Sequence, residues 1–491
     1  MSRKIIGKIR VKGDLVAQTP ISVGGIGDCE HVDLELAVDG TGRYYVPGTS
    51  LAGPMRAWLT GCLAQKEGHP LIRSLFGFVE KDDGQASALF IHDSPIEEAR
   101  RERRHGIAID ARTGVTKAGS FYTRAILTKG TRLPLEMELD ILGGYGKLDL
   151  ARDGHPAGAL ALIVEALQDE EIRFGACKSR GMGKMKLEGL TVDHYDFAKD
   201  RNALTQWLDD QPSKTRGSGL KVLDPFPRPT LMEGRLFKIA VDWRAASPIM
   251  VKSGRDGMET DMIPLMSGAG EDGKLAPVIP GSSLKGVLRS QARKILNTLF
   301  DGTPTSQATK EDDDEPWLIL ADLFGSKDQA GRLRIDDVYY GASVSSKAWL
   351  EEDKDVLNTV TERYQHVAID RFTGGVSDGA LYSMRPVKRG DGWDDIVLTL
   401  DASNAVSDAN TFKELALLRL LIRDMEDGYI PLGFGTRRGL GEIKVNGVTY
   451  SGDFPNDSKL QAAWDEFVAS GGMGFDVNES SDNHGEGGAQ G

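Results

Sequence analysis

The chain has 491 residues, and its 60 Lys and Arg against 73 Asp and Glu give a net charge of −13. This length excludes one small module, and the acidic balance argues against a uniformly basic nucleic-acid-binding protein while allowing a local basic groove. Three cysteines, never spaced as C-x-x-C, support neither a disulfide framework nor a cysteine zinc site and fit a reducing cytosol. The apolar stretches are too short for a membrane span and the opening segment lacks a signal-peptide core, so we expect a cytoplasmic protein.

The first 210 residues predict a strand, a loop, a helix, further strands, a second helix and a last strand. Apolar alternation marks the opening strand at 5–12, and the PGTS sequence after a Gly-rich loop predicts a helix N-terminus capped by Ser50. An alternating strand at 135–139 precedes an apolar helix at 160–167, a loop rich in Gly, Lys and Arg, and a final strand. This order is typical of a ferredoxin-like βαββαβ unit with an antiparallel sheet.

The second half of the chain repeats the first. The segments 46–59, 75–77, 105–114 and 174–187 match 279–292, 323–325, 366–375 and 433–445 in the same order. In the last pair Phe174 aligns with Phe434, and a short deletion precedes the alignment of Gly181 with Gly439. The sequence therefore predicts two homologous repeats, 1–210 and 234–455, joined by a Pro- and Gly-rich linker, 211–233. An amphipathic helix and a disordered acidic tail are predicted for 456–491.

We therefore predict an α+β fold made of two ferredoxin-like domains, each enlarged by a long hairpin insertion. The insertions surround Asp110 and Asp370, in the repeated motif AID-x-x-TG. Aromatic residues of the insertions could stack on nucleic-acid bases, but we interpret them as core side chains: Phe121, Tyr122, Phe372 and Tyr382. The basic run Arg101, Arg103 and Arg104 is interpreted as a solvated face.

Two loops combine glycine with basic residues and indicate a polyanionic ligand. The first Gly/basic loop (174–184) contains Lys178, Arg180 and Lys184, and the second (433–441) contains Arg437 and Arg438. Glycine lets backbone N–H groups approach a phosphate, whose charge the basic side chains neutralise. The alternative is a solvated turn with incidental charge, which recurrence in both halves disfavours. The second loop follows a helix and opens a strand, so it is not a dinucleotide-binding motif, and the chain has no P-loop sequence.

The helix N-termini and the hairpins supply further candidate phosphate contacts. Ser50 and Ser283 would cap helices whose free N–H groups attract anions. Basic residues on these helices and hairpins complete the candidate RNA-binding set: Arg56, Lys285, Arg289, Arg112 and Arg371. The alternative for the helices is a plain N-cap with surface arginines, and the shared register of arginine and cap favours backbone contact.

The ordered blocks PGSSLKG, LFG, AIDRFTG and GFGTRRGLGEIKV resemble the RAMP superfamily. More narrowly, they resemble backbone subunits of type III CRISPR effector complexes, and the duplication is similar to their fused double-backbone forms. The resemblance implies an RRM-derived fold with a protruding thumb hairpin, a guide crRNA, a target RNA and other type III effector subunits as partners, and no membrane partner. It also implies cleavage of the target RNA at regular intervals, with specificity supplied by the guide.

In this family an aspartate lies in the loop between the first strand and the capped helix, a position that matches Asp33 and Asp261. The resemblance thus implies that Asp33 and Asp261 are catalytic and metal-ligating residues of a metal-dependent endoribonuclease. One carboxylate can hold a weakly bound Mg²⁺, or another divalent cation, that shares the substrate phosphate, or it can accept the 2′-OH proton. Asp110 and Asp370 are rivals, which we interpret as structural and RNA-positioning because their motif belongs to the hairpin.

Two other functions remain open at this point. The chain could be a non-catalytic RNA-binding scaffold of the same complex, or a stand-alone endoribonuclease that processes guide RNA. We find neither an HD nuclease pair nor a GGDD motif in the sequence, which argues against the signalling polymerase of such a complex.

Overall fold

In the computed structural model, both halves of the chain contain the predicted strands and helices in the predicted order. The structure describes residues 4–25, 32–63, 68–80, 83–110, 113, 115–146, 148–217, 219–231, 236–254, 257–270, 273–300, 317–327, 329–403 and 407–472. Up to residue 222 the elements are β1 (Ile5–Ala17), β2 (Tyr45–Val46), α1 (Gly48–Cys62), α2 (Pro70–Phe76), β3 (Phe78–Glu80), β4 (Asp83–Gln85), β5 (Leu89–Ile91), β6 (Ser94–Pro95), β7 (Arg101–Gly106), β8 (Tyr122–Leu127), β9 (Arg132–Leu142), α3 (Pro156–Gln168), β10 (Met185–Asp196), α4 (Arg201–Leu208) and a 3₁₀ turn (Leu220–Val222).

The second half contains a comparable series. From residue 236 the elements are β11 (Leu236–Ala245), β12 (Met266–Gly268), β13 (Lys274–Ile279), α5 (Gly281–Leu299), α6 (Leu318–Phe324), β14 (Leu333–Ile335), β15 (Val338–Tyr339), β16 (Val344–Ser345), α7 (Ser346–Leu350), α8 (Lys354–Val360), β17 (Tyr364–His366), β18 (Tyr382–Met384), β19 (Ile396–Asp401), α9 (Asp408–Glu426), a 3₁₀ turn (Thr436–Arg438), β20 (Ile443–Ser451) and α10 (Asp457–Ala469).

Each half contains a four-stranded antiparallel sheet with ferredoxin-like strand order. The first sheet runs β10-β1-β9-β5, which places the fourth, first, third and second main strands side by side. The second sheet runs β14-β19-β11-β20, the same order taken from the other edge. The predicted α+β fold with two such units is confirmed. The hairpin insertions are also present, as β7–β8 and β17–β18.

The first sheet buries one face against helices α1 and α3. Helix α1 contributes Leu51, Met55 and Leu59, which follow one another at four-residue spacing and are fully buried. Helix α3 is apolar and buried on nearly all sides, as its Ala- and Leu-rich sequence predicts. Both helices join Ile9 and Val11 of β1 in one hydrophobic core. Each such side chain stabilises the fold by roughly 1.5–3 kcal/mol when fully buried.

Contacts divide the chain differently from the sequence repeats. One compact unit comprises Met1–Glu233, Val251–Pro280 and Asp336–Val387, and we call it the first unit. The second unit comprises Gly234–Met250, Gly281–Ile335 and Lys388–Gly491. The first unit therefore includes the Asp261 loop and the β17–β18 hairpin, which belong in sequence to the second repeat. The repeat boundaries remain a prediction about sequence homology.

The predicted linker and the C-terminal segment both contain packed residues. In the linker, Leu223 is fully buried in the core of the first unit, and Gly217 exchanges two 2.9 Å backbone hydrogen bonds with Val192. Helix α10 matches the predicted amphipathic helix, and it buries Trp464 and Phe467 beside α9. The acidic tail after residue 472 lies outside the described residues. Within the described chain no helix has the length and apolar character to cross a bilayer.

Candidate active site and RNA-binding loops

Asp33 is exposed, and three hydrogen bonds tie it to Thr123 at the start of β8. Its Oδ2 accepts from the Thr123 backbone N–H at 2.6 Å and from the Thr123 hydroxyl at 2.9 Å. The Asp33 N–H donates in return to Thr123 Oγ1 at 3.1 Å. The next residue, Leu34, pairs in parallel with Arg124. The loop that carries Asp33 therefore forms a third strand-like edge beside the β7–β8 hairpin.

Asp261 has the same three hydrogen bonds with Ser383 in β18. Its Oδ2 accepts from the Ser383 N–H at 2.7 Å and from the Ser383 hydroxyl at 2.9 Å, and its own N–H donates to Ser383 Oγ at 3.2 Å. Met262 then pairs in parallel with Met384, as Leu34 does with Arg124. Asp33 and Asp261 thus occupy equivalent positions, although their loops differ in length.

These hydrogen bonds lower the pKa of both aspartates below the ordinary value. At Asp33 the largest cause is the Thr123 backbone N–H, followed by the Thr123 hydroxyl. At Asp261 the Ser383 N–H and hydroxyl have the same effect, and the Arg363 guanidinium adds a smaller contribution. Donors to a carboxylate oxygen favour its charged form. Both aspartates are therefore anions at neutral pH.

Each site offers a metal ion one carboxylate of its own. The nearest acidic residues along the chain are already paired with basic side chains. Glu35 Oε1 accepts from Arg101 Nε at 3.0 Å, and Glu259 lies 2.9 Å from Lys354 Nζ. Within the described residues neither Asp33 nor Asp261 belongs to a cluster of three metal-binding side chains. The donor set fits a Mg²⁺ that takes one oxygen from the protein and the rest from phosphate and water.

One group of three possible metal ligands lies elsewhere, on the first sheet, and its carboxylates are already paired. The group is His92, Glu136 and Glu138. Lys12 lies 3.2 Å from Glu136, and Arg10 lies 2.9 Å from Glu138. A cation would have to displace these basic side chains, so this group is not a candidate metal site.

The two Gly/basic loops have one hydrogen-bond scheme. In the first, the Phe174 N–H donates to the Gly183 carbonyl at 2.9 Å and the Arg180 N–H to the Cys177 carbonyl at 2.8 Å. The same bonds join Leu432 to Gly441 and Arg438 to Gly435, both at 2.8 Å. Phe174 therefore corresponds to Leu432 and not to Phe434. The predicted short deletion is wrong, because the equivalent hydrogen bonds join residues at the constant offset of 258 throughout the two loops.

The protein's own backbone explains the glycines at the ends of these loops. Gly183 and Gly441 have φ of +80° and +79°. A Cβ at either position would lie 2.0 Å from a carbonyl oxygen, that of Phe174 or of Leu432. Only glycine allows this approach. The prediction that the glycines serve the phosphate chain is wrong for these two, whose requirement is internal to the fold.

The predicted basic contacts of the loops differ in accessibility. Lys178, Arg180 and Arg437 are exposed. Arg438 is also exposed, and its guanidinium lies 4.9 Å from the centre of the Phe434 ring. The prediction for Lys184 needs correction: its ammonium is 2.9 Å from Glu170 and 3.4 Å from Asp336, so it has a structural role.

The helix N-termini differ from the predicted anion sites. Helix α1 starts at Gly48, and Ser50 is not its cap, because the Pro47 cap position has no side-chain hydrogen bond. Instead the Asp93 carboxylate accepts from the Gly48 N–H at 2.7 Å and places a negative charge where a phosphate was predicted. The prediction that Ser50 caps the helix is therefore wrong. Arg56, about two turns further along, is exposed.

On α5 the predicted contacts are less accessible. Lys285 is buried and its ammonium donates to the Leu333 carbonyl at 2.8 Å, so the predicted RNA contact is wrong. Ser283 and Arg289 are half-buried.

The aspartates of the hairpin motif shape turns. Asp110 Oδ1 accepts from the Thr113 N–H at 2.8 Å, and Asp370 Oδ1 accepts from the Thr373 N–H at the same distance. This is the structural role interpreted from the sequence. Arg371 is exposed beside Asp370, whereas Arg112 lies outside the described residues.

The aromatic residues of the hairpins and the basic run in β7 need correction. Phe121 and Phe372 are 61% and 100% exposed, so their assignment to the core is wrong. Tyr122 and Tyr382 are half-buried. The run 101–104 is not one solvated face, because Arg104 is buried against Asp337.

Sequence reasoning missed Thr123 and Ser383. Each lies thirteen residues after the aspartate of the hairpin motif and directly follows a tyrosine, in the dipeptides Tyr-Thr and Tyr-Ser. This repeated pair of a tyrosine and a small hydroxyl residue is a signal that could have found them.

The comparison with protein families agrees with the duplicated geometry. The model of the RAMP superfamily matches residues 14–186 and again residues 262–444, well over half of the chain. The first match contains Asp33, the second begins one residue after Asp261, and each contains one whole Gly/basic loop. No curated protein matches the sequence. RAMP membership implies an RNA-binding role in CRISPR systems. The chain belongs to the RAMP superfamily.

Proposed function

We propose that this protein is a guide-RNA-binding backbone subunit of a type III CRISPR ribonucleoprotein and that it cleaves complementary target RNA at two positions, one per repeat. The observation that carries the proposal is the duplicated set of three hydrogen bonds that holds Asp33 and Asp261 exposed, ionised and in equivalent places. Family membership supports RNA binding, and the duplication supports two cleavage positions.

The chemistry needs little from the protein beyond positioning and charge. RNA carries its own nucleophile, the 2′-OH, so the enzyme must hold an in-line geometry and stabilise the charge that develops. The lowered pKa makes Asp33 and Asp261 weak proton acceptors, because an efficient general base has a pKa near the working pH. Their role is therefore electrostatic. A bound Mg²⁺ would supply positive charge to the phosphate, with Asp33 or Asp261 as its protein ligand.

Exposed basic side chains support guide binding. Arg56, Arg180, Arg371, Arg437 and Arg438 are exposed. Contacts of this kind neutralise phosphates without reading sequence, so base pairing with the guide supplies specificity. The affinity for guide RNA should fall as salt rises, and loss of a contacting arginine should reduce that salt dependence.

A non-catalytic scaffold is the second candidate, and one observation favours it. The same hydrogen bonds that orient Asp33 also tie its loop to β8, so the aspartate would stabilise the loop even if it took no part in cleavage. Structural and catalytic roles predict different results for an isosteric substitution.

The test is cleavage of a labelled target RNA by the assembled complex, with Mg²⁺ or EDTA, for Asp33→Asn and Asp261→Asn separately. We expect each variant to lose one product and to keep the other. Asp39→Asn is a matched control, since Asp39 is a loop aspartate whose Oδ1 bonds to Thr41. Thermal unfolding shows whether each variant is folded. Unchanged products from both folded variants would support the scaffold and contradict cleavage.

A further inference from the structure

Each proposed site needs positive charge beside the scissile phosphate. Asp33 and Asp261 are anions, and a scissile phosphate brings a second negative charge beside the first. A bound Mg²⁺ would balance these two charges, but the phosphorane adds a third, so a further cation supplied by the protein would stabilise the transition state. The neighbouring carboxylates of Glu35 and Glu259 add little further repulsion, because Arg101 and Lys354 neutralise them.

In the first repeat, strand register identifies which side chains share a face with Asp33. Thr123, whose hydroxyl contacts Asp33, lies directly opposite His105 in the antiparallel β7–β8 pair, and Ala125 lies opposite Arg103. Alternate residues of a strand point to the same face. Arg103 and His105 therefore lie on the face that carries the Asp33 carboxylate.

In the second repeat the same register leads to Arg363. Ser383, whose hydroxyl contacts Asp261, lies opposite Gln365. The ladder continues past β17, because the Glu362 N–H donates to the Pro386 carbonyl at 2.9 Å. Arg363 lies two residues before Gln365 and so shares its face. Arg363 is the equivalent of Arg103, whereas His105 is replaced by Gln365.

The environments of these two arginines differ from those of their neighbours. Arg103 and Arg363 are exposed. Within the described chain Arg103 has no side-chain hydrogen bond or ion pair, and Arg363 donates to the Glu259 carbonyl at 3.1 Å. By contrast, Arg104 is committed to Asp337, and the buried Arg385 donates to Asn358 at 3.0 Å.

We infer that Arg103 and Arg363 each bind the non-bridging oxygens of the scissile phosphate in their own repeat. This inference rests on the proposed function. A guanidinium presents two parallel N–H groups to a phosphate and keeps its charge at any working pH. The face thus combines one fixed anion with one fixed cation at each position. The histidine of the first repeat is not a shared component, since the second has glutamine.

The reaction balances without a redox partner. The 2′-oxygen forms a bond to phosphorus and the bond from phosphorus to the 5′-oxygen breaks. The products are a 2′,3′-cyclic phosphate and a 5′-hydroxyl. The proton of the 2′-OH leaves to water, and water returns one to the departing 5′-oxygen. Arg103 or Arg363 neutralises the phosphorane oxygens throughout and transfers no proton.

The test is single-turnover cleavage by the assembled complex, with each product measured separately. Arg103→Ala should slow the product that depends on Asp33 by about 10²-fold, the loss typical of one electrostatic contact, and leave the other product unchanged. Arg363→Ala should do the reverse. Arg103→Lys should recover part of the rate, since the charge remains and the paired N–H groups are lost. Target affinity should change little, because many other contacts bind the duplex.

Arg132→Ala is the matched control, as Arg132 is an exposed arginine on β9 that pairs with Asp14 and Glu188. If Asp33→Asn abolishes a product that Arg103→Ala leaves at the control rate, the inference is wrong and the proposed function stands. If Asp33→Asn and Asp261→Asn change no product, the proposed function itself fails. A fall in target affinity that accounts for the whole effect of Arg103→Ala would assign the arginine to binding and overturn its role at the phosphate.

Discussion

Loss of the Asp337 carboxylate should destabilise the first unit more than any surface substitution. Asp337 is fully buried, and its partner Arg104 in β7 is 6% exposed. Although burial lowers the pKa of Arg104, the Asp337 carboxylate raises it above its ordinary value, so the guanidinium stays charged. Asp337→Ala would leave this buried charge without its main countercharge.

The structure sets the size of the effect. Removing one partner of a buried ion pair costs about 3–5 kcal/mol. The lower end applies here, because Glu102 lies near Arg104 and supplies part of the lost negative charge. At about 2 °C per kcal/mol for a large unit, the unfolding midpoint should fall by about 6 °C. Amide hydrogen exchange should become faster in β7 and β8, where the loss of the ion pair weakens the structure.

Two controls separate the buried charge from general disruption. The double variant Arg104→Met with Asp337→Leu removes both charges and should regain most of the stability. Arg132→Ala breaks exposed pairs and should change the free energy of unfolding by less than about 1 kcal/mol. If thermal unfolding shows Asp337→Ala to be no less stable than Arg132→Ala, the pair does not organise the hairpin and the reasoning is refuted.

Three further outcomes follow from single side chains. Thr123→Val removes a hydroxyl donor to Asp33 and raises the pKa of that carboxyl, so the acid limb of the pH–rate profile for cleavage should move to higher pH. Thr123→Ser retains the hydroxyl and should leave the profile unchanged. Identical profiles for the two variants would contradict this. Gly441→Ala brings a Cβ to 2.0 Å from the Leu432 oxygen, and thermal unfolding should show a loss of more than about 1 kcal/mol in the second unit. Burial, with a smaller effect of the nearby His194, lowers the pKa of His155 to about 4. Below about pH 6.5 the unfolded chain therefore binds a proton at this histidine that the native state does not bind. Stability should fall between about pH 6.5 and 4, by at most about 3 kcal/mol, and His155→Gln should flatten that dependence in unfolding curves.

Local patterns account for what could be predicted. Alternation in β1, the apolar sequence of α3 and the repeated blocks reflect interactions between near neighbours, so they indicated the elements and their order. Asp33 and Asp261 were found through the resemblance of ordered motifs, not through their chemistry. Nothing local distinguishes either from an ordinary loop aspartate.

Distant partners account for what could not be predicted. Thr123 is separated from Asp33 by 90 positions, and Asp337 from Arg104 by 233, so no sequence window contains both members. Lys285 shows the same limit. It follows Leu284 at the edge of the buried face of α5, and its ammonium donates to the carbonyl of Leu333, 48 positions away, which offsets part of the cost of burying the charge. A sequence window that holds such a charged residue predicts an exposed side chain, because the partner that permits burial lies in a distant segment.

The most direct measurement is a cryo-EM structure of the assembled complex with guide RNA and a target RNA that carries 2′-deoxy nucleotides at the two cleavage positions, which blocks the reaction. We expect one scissile phosphate beside Asp33 and Arg103 and a second beside Asp261 and Arg363. A target strand that passes neither aspartate, or places no phosphate on those faces, would contradict two-site cleavage by this protein.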